Sequence, residues 1–479
     1  MLEHDEQTSI FDEAEAESDE KIVPEEKSVK VAAHTRKVKA THKDSFKDLP
    51  VEEVIHPVEN KICPECGAEM KTVGKEFVRD EVVYVPARMV LRKHYIEVVK
   101  CPSCSEDESR DANLPDVPPP VFKKAAAPAP VVPRSFCSPE LLAHIIFEKY
   151  VQAVPLYRQE KEYAALGVTL SRTTMANWII YAAQRYAKPV FDEMKQELLK
   201  GKVIHADETV VQVLHEKDRK AKTQSRMWVY AAPKSAKHAD CLFEYCRTRN
   251  GDNAAEFLGD YTGYVVCDGY DGYNKLRADK VTRCGCWVHV RRKFVDALPR
   301  DEKLLATSKA AEGVEWCNKI FALEREYDGL DEEGKRVRPP LTPEKRLKQR
   351  QERTKPVLDA FFKWLDSFAP AGKTGLAKAC QYARNERTYL YRFLEDPAIA
   401  PDNNRAENAI RPFVVGRKNW LFSDSEKGAE ASALFYSLAA TATANGLKVE
   451  QYLTELFDEQ TVKLPWASEG EKEVEAEKI

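Results

Sequence analysis

No apolar run in this chain approaches the ~20 residues a helix needs to cross a bilayer. The opening residues are acidic, so the basic segment and apolar stretch of a secretory leader are missing as well. Both absences predict a cytoplasmic protein with no membrane partner. Net charge is nearly missing too: 74 Lys and Arg stand against 78 Asp and Glu, a balance of −4. Any affinity for nucleic acid must therefore come from local basic patches. There is no internal repeat.

What is present is room and variety. A chain of 479 residues holds two or more cores, its 43% hydrophobic content is ordinary, and its 32% charged content is somewhat high. Composition divides it. Residues 1–50, an acidic head followed by a basic stretch, read as a disordered charged arm. Residues 51–112 hold paired cysteines among short β-like runs. A Pro/Ala-rich linker covers 113–134, and a helical domain 135–198. Residues 199–298 carry β-rich runs at 203–206, 209–214, 227–232, 241–246, 264–267 and 281–284, with a helix at 253–258. A highly charged helical insertion spans 299–395. Helices resume over 396–466, ahead of a charged tail at 467–479.

Twelve cysteines with two CxxC pairs point to metal binding in a reducing compartment. Cys63-Pro-Glu-Cys66 and Cys101-Pro-Ser-Cys104 have the spacing that brings two thiolates from one tight turn to a tetrahedral zinc. The interval between the pairs exceeds the ~15–20 residues of a zinc ribbon, and an inserted hairpin would close it. The other reading is two redox or unliganded pairs. Downstream, a helix over Leu156–Ala165, a turn at Gly167 and a second helix capped by Ser171 read as a helix-turn-helix or as a plain helical hairpin with Trp178 buried. In the first reading Arg172 faces DNA.

Three acids sit in unlike settings. Asp207 follows Val203-Ile204-His205-Ala206, with another strand beginning at Thr209. Asp268 follows Val265-Val266-Cys267 at the expected end of a central strand. Glu407 lies in a polar, helix-competent stretch. A buried carboxylate without a partner is costly, and a shared cation removes the cost. Two strand-borne carboxylates and one helix-borne carboxylate make a cage for hard divalent ions, and such cages cut and join phosphodiesters. Glu208, Asp271 and Asp402 compete locally. Glu208 faces the opposite side of the strand from Asp207, and Asp402 reads as the N-cap of the helix bearing Glu407.

Basic residues flank the acids. Arg291, Arg292 and Lys293 follow Cys286 and His289 and are expected on an exposed face. Arg405, Arg411, Arg417 and Lys418 surround Glu407, so both groups are candidate phosphate contacts. Cys286 and His289 have ligand spacing, though a single such pair is weak evidence for a metal.

The ordered stretches CPECG, VPARMVLRKHYIEVVKCPSC, SPELLAHIIFEKYVQAVPLYRQE, HADETVVQV, CDGYDGYNKL, CWVHVRRKF and DNNRAENAIRPFVVGRKNWLF resemble the transposases of the bacterial insertion sequence 66 family. The resemblance covers residues 45–466. It implies a multidomain α/β protein: a zinc-binding β domain, a helix-turn-helix-like domain, and a ribonuclease-H-like core with a large helical insertion. It also implies a DDE catalytic triad at Asp207, Asp268 and Glu407 holding two Mg²⁺ or Mn²⁺ ions, with structural zinc at Cys63, Cys66, Cys101 and Cys104. The implied partners are terminal inverted repeats and target DNA, further copies of the chain in a synaptic complex, and small accessory proteins. The chain departs from the family pattern in CWVHVRRKF, where alanines are usual at both valines, and in Asn408, where Arg often follows the third acid. Family members usually open with a longer coiled-coil helix. A DNA-binding regulator with an inert core and a nuclease that cleaves without joining stand as alternatives.

Overall fold

The computed structural model describes residues 89–100, 122–126 and 129–466, apart from Ala306 and Glu332. The chain divides into two compact units, Met1–Arg88 and Met89–Ile479, and every described residue lies in the second. Strand β1 (Val98–Lys100) pairs antiparallel with β2 (Phe122–Lys124), so part of the expected linker is paired strand. No helix of the described residues is long and apolar enough to cross a membrane.

Helices α1 (Pro139–Tyr150), α2 (Leu156–Ala165), α3 (Arg172–Ala182) and α4 (Lys188–Lys200) come next. Their limits are written locally. Ser138 and Ser171 each accept a backbone N–H three residues on, from Leu141 and Thr174, and relieve the unpaired donors of a first turn. Gly167, at φ +84°, makes the turn between α2 and α3 in a conformation other residues resist. Met175, Trp178 and Ile179 of α3 are buried, while Arg172 at its start is exposed.

The centre is a mixed sheet in the order β5-β4-β3-β6-β7. Its strands are β3 (Val203–His215), β4 (Gln224–Ala231), β5 (Cys241–Cys246), β6 (Gly263–Val266) and β7 (Val281–Cys284). β3, β4 and β5 form an antiparallel meander, whereas β6 and β7 run parallel to β3. The two runs expected at 203–206 and 209–214 are one strand of 13 residues. Pairing with β4 from His205 to Gln212 supplies backbone partners straight through the two acids that interrupt the apolar pattern. A short β8 (Ser423–Ser425) extends the far end of β3.

Helix α5 (Asp252–Leu258) precedes β6, and α6 (Trp287–Val295) follows β7. The expected insertion supplies α7 (Lys309–Tyr327), α8 (Pro343–Gln349), α9 (Lys355–Asp366) and α10 (Gly375–Asn385). Its apolar face shares one core with the sheet, in which Val266, Cys284 and Trp287 meet Phe361, Phe362 and Leu365. The chain then returns as α11 (Asn404–Trp420), α12 (Glu426–Ala444) and α13 (Val449–Glu459). α12 is apolar nearly all round and covers the edge strand β5. Hydroxyls of Ser437 and Thr441 accept the N–H groups of Phe243 and Cys241, which would otherwise be open edge donors.

The insertion is also fastened by a buried cation. Arg350, 1% exposed, donates to both oxygens of Glu324 at 2.8 Å, and to the carbonyls of Phe393 at 2.6 Å and Asp396 at 2.9 Å. Removing one partner of such a network strands the other in a low dielectric. Arg350→Ala should therefore lower the unfolding free energy by about 3–5 kcal/mol in urea denaturation. A loss below about 1 kcal/mol, the scale of a surface pair, would contradict this role.

Candidate active site

The sheet and one helix bring Asp268 and Glu407 within electrostatic reach of Asp207. Asp207 stands mid-strand in β3, opposite Val229 of β4. Strand alternation turns its neighbour Glu208 to the other face, where it sits across from Trp228 and binds Arg249 at 2.6 Å and the Tyr273 hydroxyl at 3.2 Å. Asp268 lies two residues beyond the end of β6. Its carboxylate accepts the N–H of Tyr270 at 3.0 Å and its carbonyl accepts Arg283 at 2.9 Å. The insertion closes on this loop. The N–H of Gly269 donates to the Tyr382 hydroxyl at 3.1 Å, and a Cβ on Gly269 would fall 2.4 Å from the Tyr382 ring.

Glu407 occupies the first turn of α11. The start of that helix is set by Asn403, which is fully buried. Its amide donates to the Ala206 carbonyl at 2.9 Å, its amide oxygen meets His205 Nδ1 at 3.1 Å, and its backbone N–H points at Cys286 Sγ at 3.3 Å. Burial holds the His205 ring down to about 4, so it is neutral near pH 7. With the Asn403 amide donating to Ala206, the proton of that ring belongs on Nδ1. The expected N-cap at Asp402 is corrected: Asn403 takes that position, and the Asp402 carboxylate accepts the N–H of Asn404 at 3.0 Å.

The electrostatics of the cluster bear most on Asp207. Burial first, and then the charges of Glu208, Asp268 and Glu407, push the Asp207 carboxyl well above the usual carboxylate range. Glu208 is pushed up to about 7 by burial and Asp268, against the pull of Arg249. The cation beside Glu407 is Arg292, at 3.4 Å and 18% exposed. Hard carboxylate oxygens with surplus negative charge are the donor set that magnesium or manganese takes. Asp207, Asp268 and Glu407 offer that donor chemistry.

The other expected site residues scatter. Arg292 turns to Glu407 instead of lying on an exposed face, and Arg291 binds Asn318 at 2.8 Å. Lys293 is half-buried near the Tyr382 ring. Arg405 donates to the Ala232 carbonyl at 2.9 Å and Arg417 to the Val210 carbonyl, so both fasten α11 to the sheet. Arg411, Lys418 and Arg172 are exposed. Asp271 is exposed as well. Cys63, Cys66, Cys101 and Cys104 lie outside the described residues. Sequence reasoning missed Asn403, His205, Arg283 and Tyr382. Each acts through a partner distant in the chain, and the only local signal was the doubled Asn after Asp402.

Asp207 gives a pH test. A carboxyl whose folded value is raised contributes stability below its unfolded pKa of about 4, and that contribution is lost as pH rises through the folded value. The metal-free protein should lose melting temperature as pH rises above about 4, and Asp207→Asn should flatten that decline. Added magnesium should raise the melting temperature of the wild type more than that of the variant at neutral pH. Thermal unfolding in chelator across pH checks this, and equal slopes for the two proteins would contradict the repulsive cluster.

Comparison with known proteins gives the family of the chain. A family model described as "Transposase IS66 family" matches residues 134–431, and one described as "zinc-finger binding domain of transposase IS66" matches residues 60–105. An uncharacterized protein of Sinorhizobium fredii (strain NBRC 101917 / NGR234), y4hP, is 26% identical over 419 residues, covering 82% of this chain and 70% of that protein. A second from the same organism, y4qI, is 31% identical over 350 residues, covering 69% of this chain and 61% of its own length. With one model spanning the central sheet, the insertion and α11, the chain belongs to the IS66 transposase family.

Proposed function

We propose that this chain is a DDE-type DNA transposase that cuts at the ends of an insertion sequence and joins them to target DNA, using a ribonuclease-H-like core. The observation that carries the reading is the meeting of Asp207, Asp268 and Glu407 on a central strand, the loop after its parallel neighbour, and a covering helix. An order of β5-β4-β3-β6-β7, with three antiparallel strands followed by two parallel ones, is the arrangement expected of such a core.

In this reading Asp207, Asp268 and Glu407 hold two magnesium or manganese ions. Bound there, the ions would supply Lewis acidity toward the attacking water or 3′-hydroxyl and would neutralise charge on the departing 3′ oxygen. The chain's own contribution is positioning. β3 fixes Asp207 by its ladder to β4, Arg283 and Tyr382 hold the loop of Asp268, and Asn403 fixes the helix of Glu407. Arg292, beside Glu407, stands where a phosphodiester oxygen would be drawn in by its charge. Exposed Arg411 and Lys418 would hold the DNA backbone farther out. The zinc-finger domain, and α2–α3 acting as a helix-turn-helix with Arg172 outward, would recognise the terminal repeats. Assembly into a synaptic oligomer and use of accessory proteins belong to the same reading.

The test is a labelled oligonucleotide carrying the element's end, incubated with the full chain and magnesium. Cleaved and joined products are expected. Asp268→Asn should reduce both by about a thousandfold, the equivalent of several kcal/mol of lost charge stabilisation. Cleavage without joining would identify a nuclease. Specific binding of the DNA with no cleavage would identify a regulator. Unchanged products with Asp268→Asn would sink the assignment of the site.

A further inference from the structure

Beside the carboxylate cluster lie two donors that the proposed chemistry does not use. Cys286 caps α6, and His289 follows one turn along the same helix. Both face Glu407 of α11, and donor atoms of the three residues lie within 4.8 Å of one another. His289 Nδ1 and Glu407 Oε1 are 3.6 Å apart, too far for a hydrogen bond, and both are buried with no partner. Two buried polar atoms left unpaired while facing each other are costly, and a shared cation would satisfy both. Donors on a common tetrahedral zinc are about 3.3–3.8 Å apart, given zinc–nitrogen, zinc–oxygen and zinc–sulfur bonds of about 2.0–2.3 Å. The 3.6 Å separation falls within that range.

The donor set differs in kind from its neighbour. Asp207, Asp268 and Glu407 offer only hard oxygen, whereas thiolate, imidazole and one carboxylate select zinc-like ions over magnesium. The two sets share Glu407. We propose that Cys286, His289 and Glu407 form a second cation site for zinc or a similar thiophilic divalent ion, and that filling it draws Glu407 away from Asp207 and Asp268. Zinc would then oppose magnesium-dependent DNA cleavage. That consequence rests on the transposase reading, whereas the binding site does not.

The full-length reduced chain, stripped of metal, is titrated with cobalt(II), whose visible absorption reports thiolate ligation. The cysteine pairs at the N-terminus are expected to take the first equivalent. A second, weaker thiolate-bound equivalent is expected in the wild type. It should weaken at least about tenfold in Cys286→Ser, which keeps an oxygen to accept the Asn403 N–H, and likewise in His289→Gln. Absence of a second equivalent in the wild type, or its retention in both variants, would overturn the site. In the cleavage assay, zinc added over magnesium should inhibit the wild type at least about tenfold and Cys286→Ser less than about twofold. Equal inhibition of the two would overturn the competition for Glu407. The cobalt spectrum does not depend on DNA cleavage, so a chain that failed to cut DNA would still show whether the second ion binds.

Discussion

The buried side chain of Asn403 joins the sheet to the helix that faces it, and the geometry of the acidic cluster follows from that link. Its amide is spent on the Ala206 carbonyl and the His205 ring, the two residues before Asp207. Its backbone N–H is spent on Cys286, at the start of the neighbouring helix. Glu407 lies one turn further along α11 and inherits this register. Each of these buried groups would cost about 1–3 kcal/mol if left without its partner, so the segments cannot slide independently.

That rigidity is needed because the cluster opposes it. Asp268 and Glu407 bear on the charge of Asp207, and Glu208 adds to it from the reverse face of the strand, while Arg249 and Arg292 pair with Glu208 and Glu407. The fold holds them together by paired backbone and packed core. The insertion takes part from the other side: Glu386 binds Arg283 at 2.7 Å, Arg283 holds the Asp268 carbonyl, and Tyr382 holds Gly269. A charged helical segment that looks peripheral by composition is therefore tied to the loop of the second acid. A divalent ion bound among these carboxylates would relieve their repulsion.

How far the sequence could be read depended on the range of the interactions. Strand ends at 241–246 and 281–284 and the helix cap at Ser171 were legible, because turn chemistry and apolar runs are local. β3 read as two strands because Asp207 and Glu208 break its apolar pattern, and only the ladder to β4 carries it across. Asp402 looked like the cap because an acid before a helix usually is one, yet Asn403 takes the position while spending its side chain across the fold. Arg292 looked solvated within its basic run and turns to Glu407. Contacts such as Asn403 to Ala206 join residues almost two hundred positions apart, and no window of sequence contains both.

The central claim is that Asp207, Asp268 and Glu407 act as one cation site. Manganese binding by the full chain, followed by the paramagnetic resonance of the free ion, tests it without DNA. The wild type should bind manganese, and Asp207→Asn, Asp268→Asn and Glu407→Gln should each weaken binding at least about tenfold. If Glu407→Gln bound manganese as tightly as the wild type, the helix would not belong to the site and the shared cation site would be contradicted.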